Sequence, residues 1–114
     1  MLYGTDDTST TAISPAMFEE FCLGYTDRIA DAVHEYGVFY AHHSCVHIRN
    51  LLDLYRQTRM DAVDALYLKA VGDVNMIAEA RALLGPKIMV MAALGQMGKS
   101  MGMGNRGAVA ESIA

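Results

Sequence analysis

Four side chains that can do chemistry fall within six residues of one another: His42, His43, Cys45 and His47. They close the run Val38-Phe39-Tyr40-Ala41, which reads as a strand, and open Ile48-Arg49-Asn50-Leu51-Leu52, which reads as a helix. In α/β proteins the end of a strand that hands over to a helix is where ligands and reactions sit. His43 and Cys45 are two apart, so an extended backbone points both the same way and turns His42 to the opposite face. Imidazole with thiolate is a donor pair that suits a borderline-soft metal such as zinc, and a thiolate needs a cation or donor beside it. Two ligands rarely hold zinc. His47, at the helix start, is the side chain placed to swing in as a helper. The competing reading is a polar strand end with a buried free thiol.

The elements that must position this cluster are marked by their start and stop residues. Ser14-Pro15 is a helix start, with serine at the cap and proline at the first helical position. From there Phe18, Phe21, Cys22, Tyr25, Ile29, Ala32, Val33 and Tyr36 recur at three and four, one apolar stripe that predicts a single helix. Gly37 stands where a left-handed C-terminal residue belongs. A strand over Val38 to His43 follows, then a helix from about His47 to Thr58. Next come a strand over Met60 to Leu68 and a helix opening at Gly72-Asp73 and stopped by Gly85-Pro86. Lys87 to Leu94 is a near-continuous apolar run, as in a strand covered on both faces. A Gly- and Met-rich loop, Gly95 to Gly104, and a weakly patterned helix, Asn105 to Ala114, complete the chain. With a strand tail at Met1 to Tyr3, the order is four β-α units, which implies parallel pairing through right-handed crossovers. Four such units make about half of a (β/α)8 TIM barrel, which takes about 250 residues. A small open sheet of the flavodoxin type is the alternative.

Composition narrows the function. The chain has 114 residues, 53% apolar and 19% charged, a single globular domain over 1–114. A net charge of −4 offers no basic face to nucleic acid. No apolar run reaches the roughly 20 residues of a membrane span, and no secretory signal is visible at the N-terminus. Two cysteines without framework spacing point to a reducing, cytoplasmic setting. Nine methionines read as core filler.

An ordered set of short motifs runs through the chain: Asp6-Asp7, Ile13-Ser14-Pro15 with Phe18 and Phe21, Arg28-Ile29 with Val33-His34 and Gly37, His43-x-Cys45, Asp61-Ala62-Val63-Asp64, Gly72-Asp73, and Leu84-Gly85 with Lys87-Ile88. Together they resemble the uroporphyrinogen decarboxylase superfamily over nearly the whole chain, in the C-terminal half of its barrel without the last units. Within it, His-x-Cys resembles the zinc-dependent, corrinoid-linked methyltransferase branch. There a zinc ion held by that His, that Cys and a later Cys binds a substrate thiol, which takes a methyl group from a corrinoid. The resemblance implies His43 and Cys45 as the first two zinc ligands, a third beyond Ala114, and a corrinoid protein as a partner. It implies that Asp6 and Asp7 lie on a polar loop facing the active site. Where the branch has Gly after the Cys, this chain has Val46. The decarboxylase branch, acting on a tetrapyrrole without metal, is the alternative, and a non-catalytic, self-associating half-barrel is a third.

Other signals are weaker. Cys22 reads as core, and His34 as a favourable charge at a helix C-terminus. Ala93 to Ser100 approaches a phosphate loop but has Ala93 where the motif needs glycine. Asp61 reads as a residue at a strand's start, Asp64 as lying within that strand, and Asp73 as a possible helix cap. A half-barrel leaves two sheet edges and an inner face uncovered, which predicts a homodimer or larger oligomer and no activity from the isolated chain.

Overall fold

A computed structural model describes residues 8–66, 72–75 and 77–92, and the backbone alone at 2–4, within which positions 65 and 92 are likewise backbone only. The elements are β1 (Leu2–Gly4), α1 (Pro15–Phe21), α2 (Leu23–His34), β2 (Ala41–His43), a 3-10 turn (Arg49–Leu51), α3 (Leu52–Tyr55), β3 (Ala62–Leu66), α4 (Ile77–Leu84) and β4 (Met89–Ala92). The four strands form one sheet in the order β1-β2-β3-β4, and every pair is parallel. Each crossover lays its strand next to the one before. A doubly wound sheet instead reverses direction at a switch point. The sequential order therefore fits part of a TIM-barrel-like fold and not the flavodoxin-type alternative.

Register divides the side chains between two faces. His42 lies opposite Val63, and Val63 opposite Val90. This face packs on the helices: His42 and Val63 are buried and Val90 half-buried against the core. The other face carries Ala41, Ala62 and Met89 in one row, and His43, Asp64 and Met91 in the next. No described helix covers it, and Met89 is 62% exposed and Met91 41%. Among the described residues the apolar run of β4 is thus covered on one face, where the sequence predicted cover on two. Between sheet and helices sit Phe18, Tyr40, Ile48, Leu51, Leu52, Tyr55 and Leu66, all fully buried. Each such side chain contributes about 1.5–3 kcal/mol relative to exposure. Phe18 and His42 both meet the Tyr55 ring edge-on, with centroids 5.3 Å apart in each case.

The start and stop residues act as expected. Ser14 accepts the Met17 N–H at 3.2 Å, with Pro15 opening α1. Gly37 and Gly85 take left-handed φ of 66° and 78°. The helix predicted to run unbroken from Ser14 instead breaks at Cys22, whose φ is −115°. Thr26 donates its hydroxyl to the Cys22 carbonyl at 3.0 Å, a back-bond that bends helices. The stripe rotates at the break. Thr26, Ala30 and Val33 are buried in α2, while Phe21, Tyr25 and Tyr36, predicted on the apolar face, are exposed. Cys22 is half-buried, and burial pushes its thiol pKa up.

Strand and helix ends are trimmed by aspartates. β2 starts at Ala41 rather than Val38, because the Asp61 carboxylate takes the Tyr40 N–H at 2.7 Å. The second Asp61 bond, 2.7 Å from His34 Nε2, ties the end of α2 to the start of β3. His34 therefore has a long-range hydrogen-bond partner in Asp61 and does not merely mark a helix end. Burial disfavours the Asp61 charge, but these two hydrogen bonds outweigh it and hold the carboxyl below its usual range. Asp73 caps no helix of its own. It reaches back and accepts the Ile48 and Arg49 N–H groups at 2.9 and 3.0 Å. α4 accordingly begins at Ile77, not at Gly72-Asp73. The predicted loop Gly95 to Gly104, the phosphate-loop-like stretch and the last helix lie outside the described residues. No helix among the described residues is long and apolar enough to cross a membrane.

Candidate functional site

The site is built where β2 ends. His43 is the last residue of that strand, and register sets it opposite Asp64 of β3. His43 Nδ1 lies 2.9 Å from Asp64 Oδ2, with about a quarter of each side chain exposed. On its other side His43 Nε2 lies 3.0 Å from Cys45 Sγ. Carboxylate, imidazole and thiol thus form one line on the sheet face that no described helix covers. With the Asp64 carboxylate accepting the Nδ1–H, the Nε2 lone pair is presented to Cys45. A carboxylate behind the imidazole is also how metal-ligating histidines are oriented and made more basic.

The backbone around the line is fixed from the opposite face. Ser44, between the two donors, points inward and is buried. The Tyr55 hydroxyl donates to its Oγ at 2.9 Å, and the Thr8 hydroxyl lies 3.5 Å away. Burial raises the Tyr55 phenol pKa to about 12, against the opposing effect of the bond to Ser44, so Tyr55 stays a neutral donor. The Ser44 N–H also bonds to the Asp64 carbonyl at 3.4 Å. The His47 carbonyl accepts the Thr10 N–H at 2.7 Å and the Thr10 hydroxyl at 2.9 Å, which joins the loop after β1 to the loop after β2. Asp73 clamps the next two N–H groups. Between these anchors the chain turns at Val46, whose φ is 67°. A left-handed residue with a Cβ costs about 1–2 kcal/mol, and a β-branched one there is an outlier. The strain lies beside Cys45.

His43 and Cys45 come together as their spacing predicts, and His42 faces away. The His42 ring is 2% exposed, its Nδ1 2.9 Å from the Tyr40 hydroxyl. Burial first, and the neighbouring His43 second, lower its pKa to about 4, so it stays neutral, and strand alternation keeps it on the face opposite His43. The structure ties His47 into the turn through its carbonyl and does not bring it into a set with His43 and Cys45. Among the described residues no three His, Cys, Asp or Glu side chains are arranged to hold a metal ion. Asp6 and Asp7 lie outside the described residues. Asp64 is the member that sequence reasoning missed. Its signal was a carboxylate inside an otherwise apolar strand, which must find a partner when partly buried.

Parallel, sequentially ordered strands with a polar cluster at their C-terminal ends define an α/β protein that fits part of a TIM-barrel-like fold. The sequence profile described as Uroporphyrinogen decarboxylase (URO-D) matches residues 2–97. The chain belongs to the uroporphyrinogen decarboxylase family. No curated protein and no solved structure gave a match.

Proposed function

We propose that the chain carries part of a zinc-dependent methyltransferase site in which His43 and Cys45 are two of the metal ligands. The observation that carries this reading is the orientation of His43, with Asp64 on Nδ1 and the Cys45 thiol 3.0 Å from Nε2. The donor set fits two corners of a zinc site. Nitrogen and sulfur around tetrahedral zinc stand roughly 3.5 Å apart, so the pair need part by only about half an ångström. A catalytic zinc uses three protein ligands and leaves one position open, and the third here comes from beyond the described residues. Zinc at this place supplies a Lewis acid that favours the thiolate of a substrate thiol as acceptor of a corrinoid-borne methyl group. Asp64 fixes the tautomer and angle of His43. Tyr55, through Ser44, holds the two donors in register.

The uncovered sheet face supports a half-barrel reading, in which the exposed row of Met89 and Met91 packs against further barrel strands or a second copy. Pairing of two copies would give a homodimer or larger oligomer. A second reading, metal-free decarboxylation of a tetrapyrrole, is favoured by the description of the matching family. Zinc stoichiometry by metal analysis separates the two. The first predicts bound zinc in the wild type and its loss in Cys45→Ala. Equal zinc in both proteins, or porphyrinogen binding by metal-free protein, removes the first reading.

A further inference from the structure

On the face of β2 opposite His43, a cavity of about 190 Å3 lies under the joint between α1 and α2. Its floor is the buried pair Tyr40 and His42, and Cys22 and Ile29 line its wall. His42 Nε2 is buried with no hydrogen-bond partner. The neighbouring hydroxyls are engaged: Tyr40 with His42 Nδ1, and Thr26 with the Cys22 carbonyl. An unsatisfied buried polar atom costs about 1–3 kcal/mol, so a group that meets it gains what the fold leaves unmade. Among the described residues His42 Nε2 is the buried side-chain polar atom left without a partner. At the mouth, Phe21 and Tyr25 are 60% and 62% exposed, large apolar rings left in solvent beside an open cavity.

We infer that this cavity is a binding site for a single aromatic ring bearing one hydroxyl, seated between Phe21 and Tyr25 with its hydroxyl on His42 Nε2. The size agrees, since a cavity of about 150 Å3 accepts benzene. A phenolic hydroxyl donates and accepts, so it serves either tautomer of His42. The site is separate from the His43–Cys45 line, from which the sheet divides it.

Phenol and benzene are the probes, titrated into the full-length chain and followed by NMR. The expected result is that phenol shifts the Thr26 amide and the His42 ring nitrogen and binds about fivefold more tightly than benzene, the worth of one hydrogen bond. His42→Leu should erase that preference while benzene still binds. If the variant does not fold, the wild-type ring nitrogen decides alone: movement with phenol and not with benzene upholds the site. Equal affinity for the two probes, shifts confined to other residues, or no binding of phenol would overturn it.

Discussion

Removing the Asp61 carboxylate should unfasten three elements at once. Its Oδ2 accepts His34 Nε2 and the Tyr40 N–H, each at 2.7 Å, so α2, β2 and β3 converge on one oxygen. Hydrogen bonds to a charged acceptor are worth about 1.5–3 kcal/mol each. The Asp61 side chain is 33% exposed and His34 36%, so solvent screening roughly halves that range. Asp61→Ala should therefore destabilise the fold by about 2 kcal/mol, and Asp61→Asn, which keeps an oxygen for Tyr40, by about 1 kcal/mol. The pH dependence has a definite sign. The folded carboxyl is held below its usual value by these bonds. Its stabilisation is present in full above the unfolded pKa of about 3.9 and is lost as pH falls through the lower folded value. Urea denaturation followed by circular dichroism at pH 7, and in steps below pH 4, measures the gap between wild type and Asp61→Asn. A gap that stays constant into acid, or no gap at pH 7, would refute the reasoning.

Three further outcomes follow from the same contacts. Asp73→Ala uncaps the Ile48 and Arg49 N–H groups and should cost about 1 kcal/mol, read as a lower urea midpoint; an unchanged midpoint would show that solvent replaces the cap. Tyr55→Phe removes the shorter of the two hydroxyl contacts to Ser44 Oγ, leaving that of Thr8, and should cost about 1 kcal/mol, with amide signals of His43 and Cys45 shifting in NMR. The exposed apolar row on β4 predicts self-association, and a clean monomer mass by sedimentation equilibrium at micromolar concentration would count against it.

What the sequence disclosed was local. Ser14-Pro15, Gly37 and Gly85 set element ends because cap and left-handed preferences depend on the residue itself. The opposite facing of His42 and His43 follows from strand alternation, which needs no partner. The failures are of another kind. Asp61, Asp64 and Asp73 take their partners from 21, 21 and 25 residues away, across registers that no local pattern encodes. Those long-range bonds shortened β2 and delayed the start of α4. The break at Cys22 was hidden by an apolar stripe that continues at helical spacing through Phe21 and Tyr25, although both rings face solvent. The left-handed turn at Val46 has no local signal, because valine is among the residues least suited to it.

The central claim, that His43 and Cys45 converge on one metal with Asp64 behind the imidazole, is tested most directly by adding Co2+ in place of zinc and recording the absorption spectrum. A near-ultraviolet sulfur-to-cobalt charge-transfer band is expected in the wild type, absent in Cys45→Ala and weakened in His43→Ala and, less, in Asp64→Asn, where metal affinity should fall about 10–100-fold. No such band in the wild type, or a band of equal strength in Cys45→Ala, would contradict it.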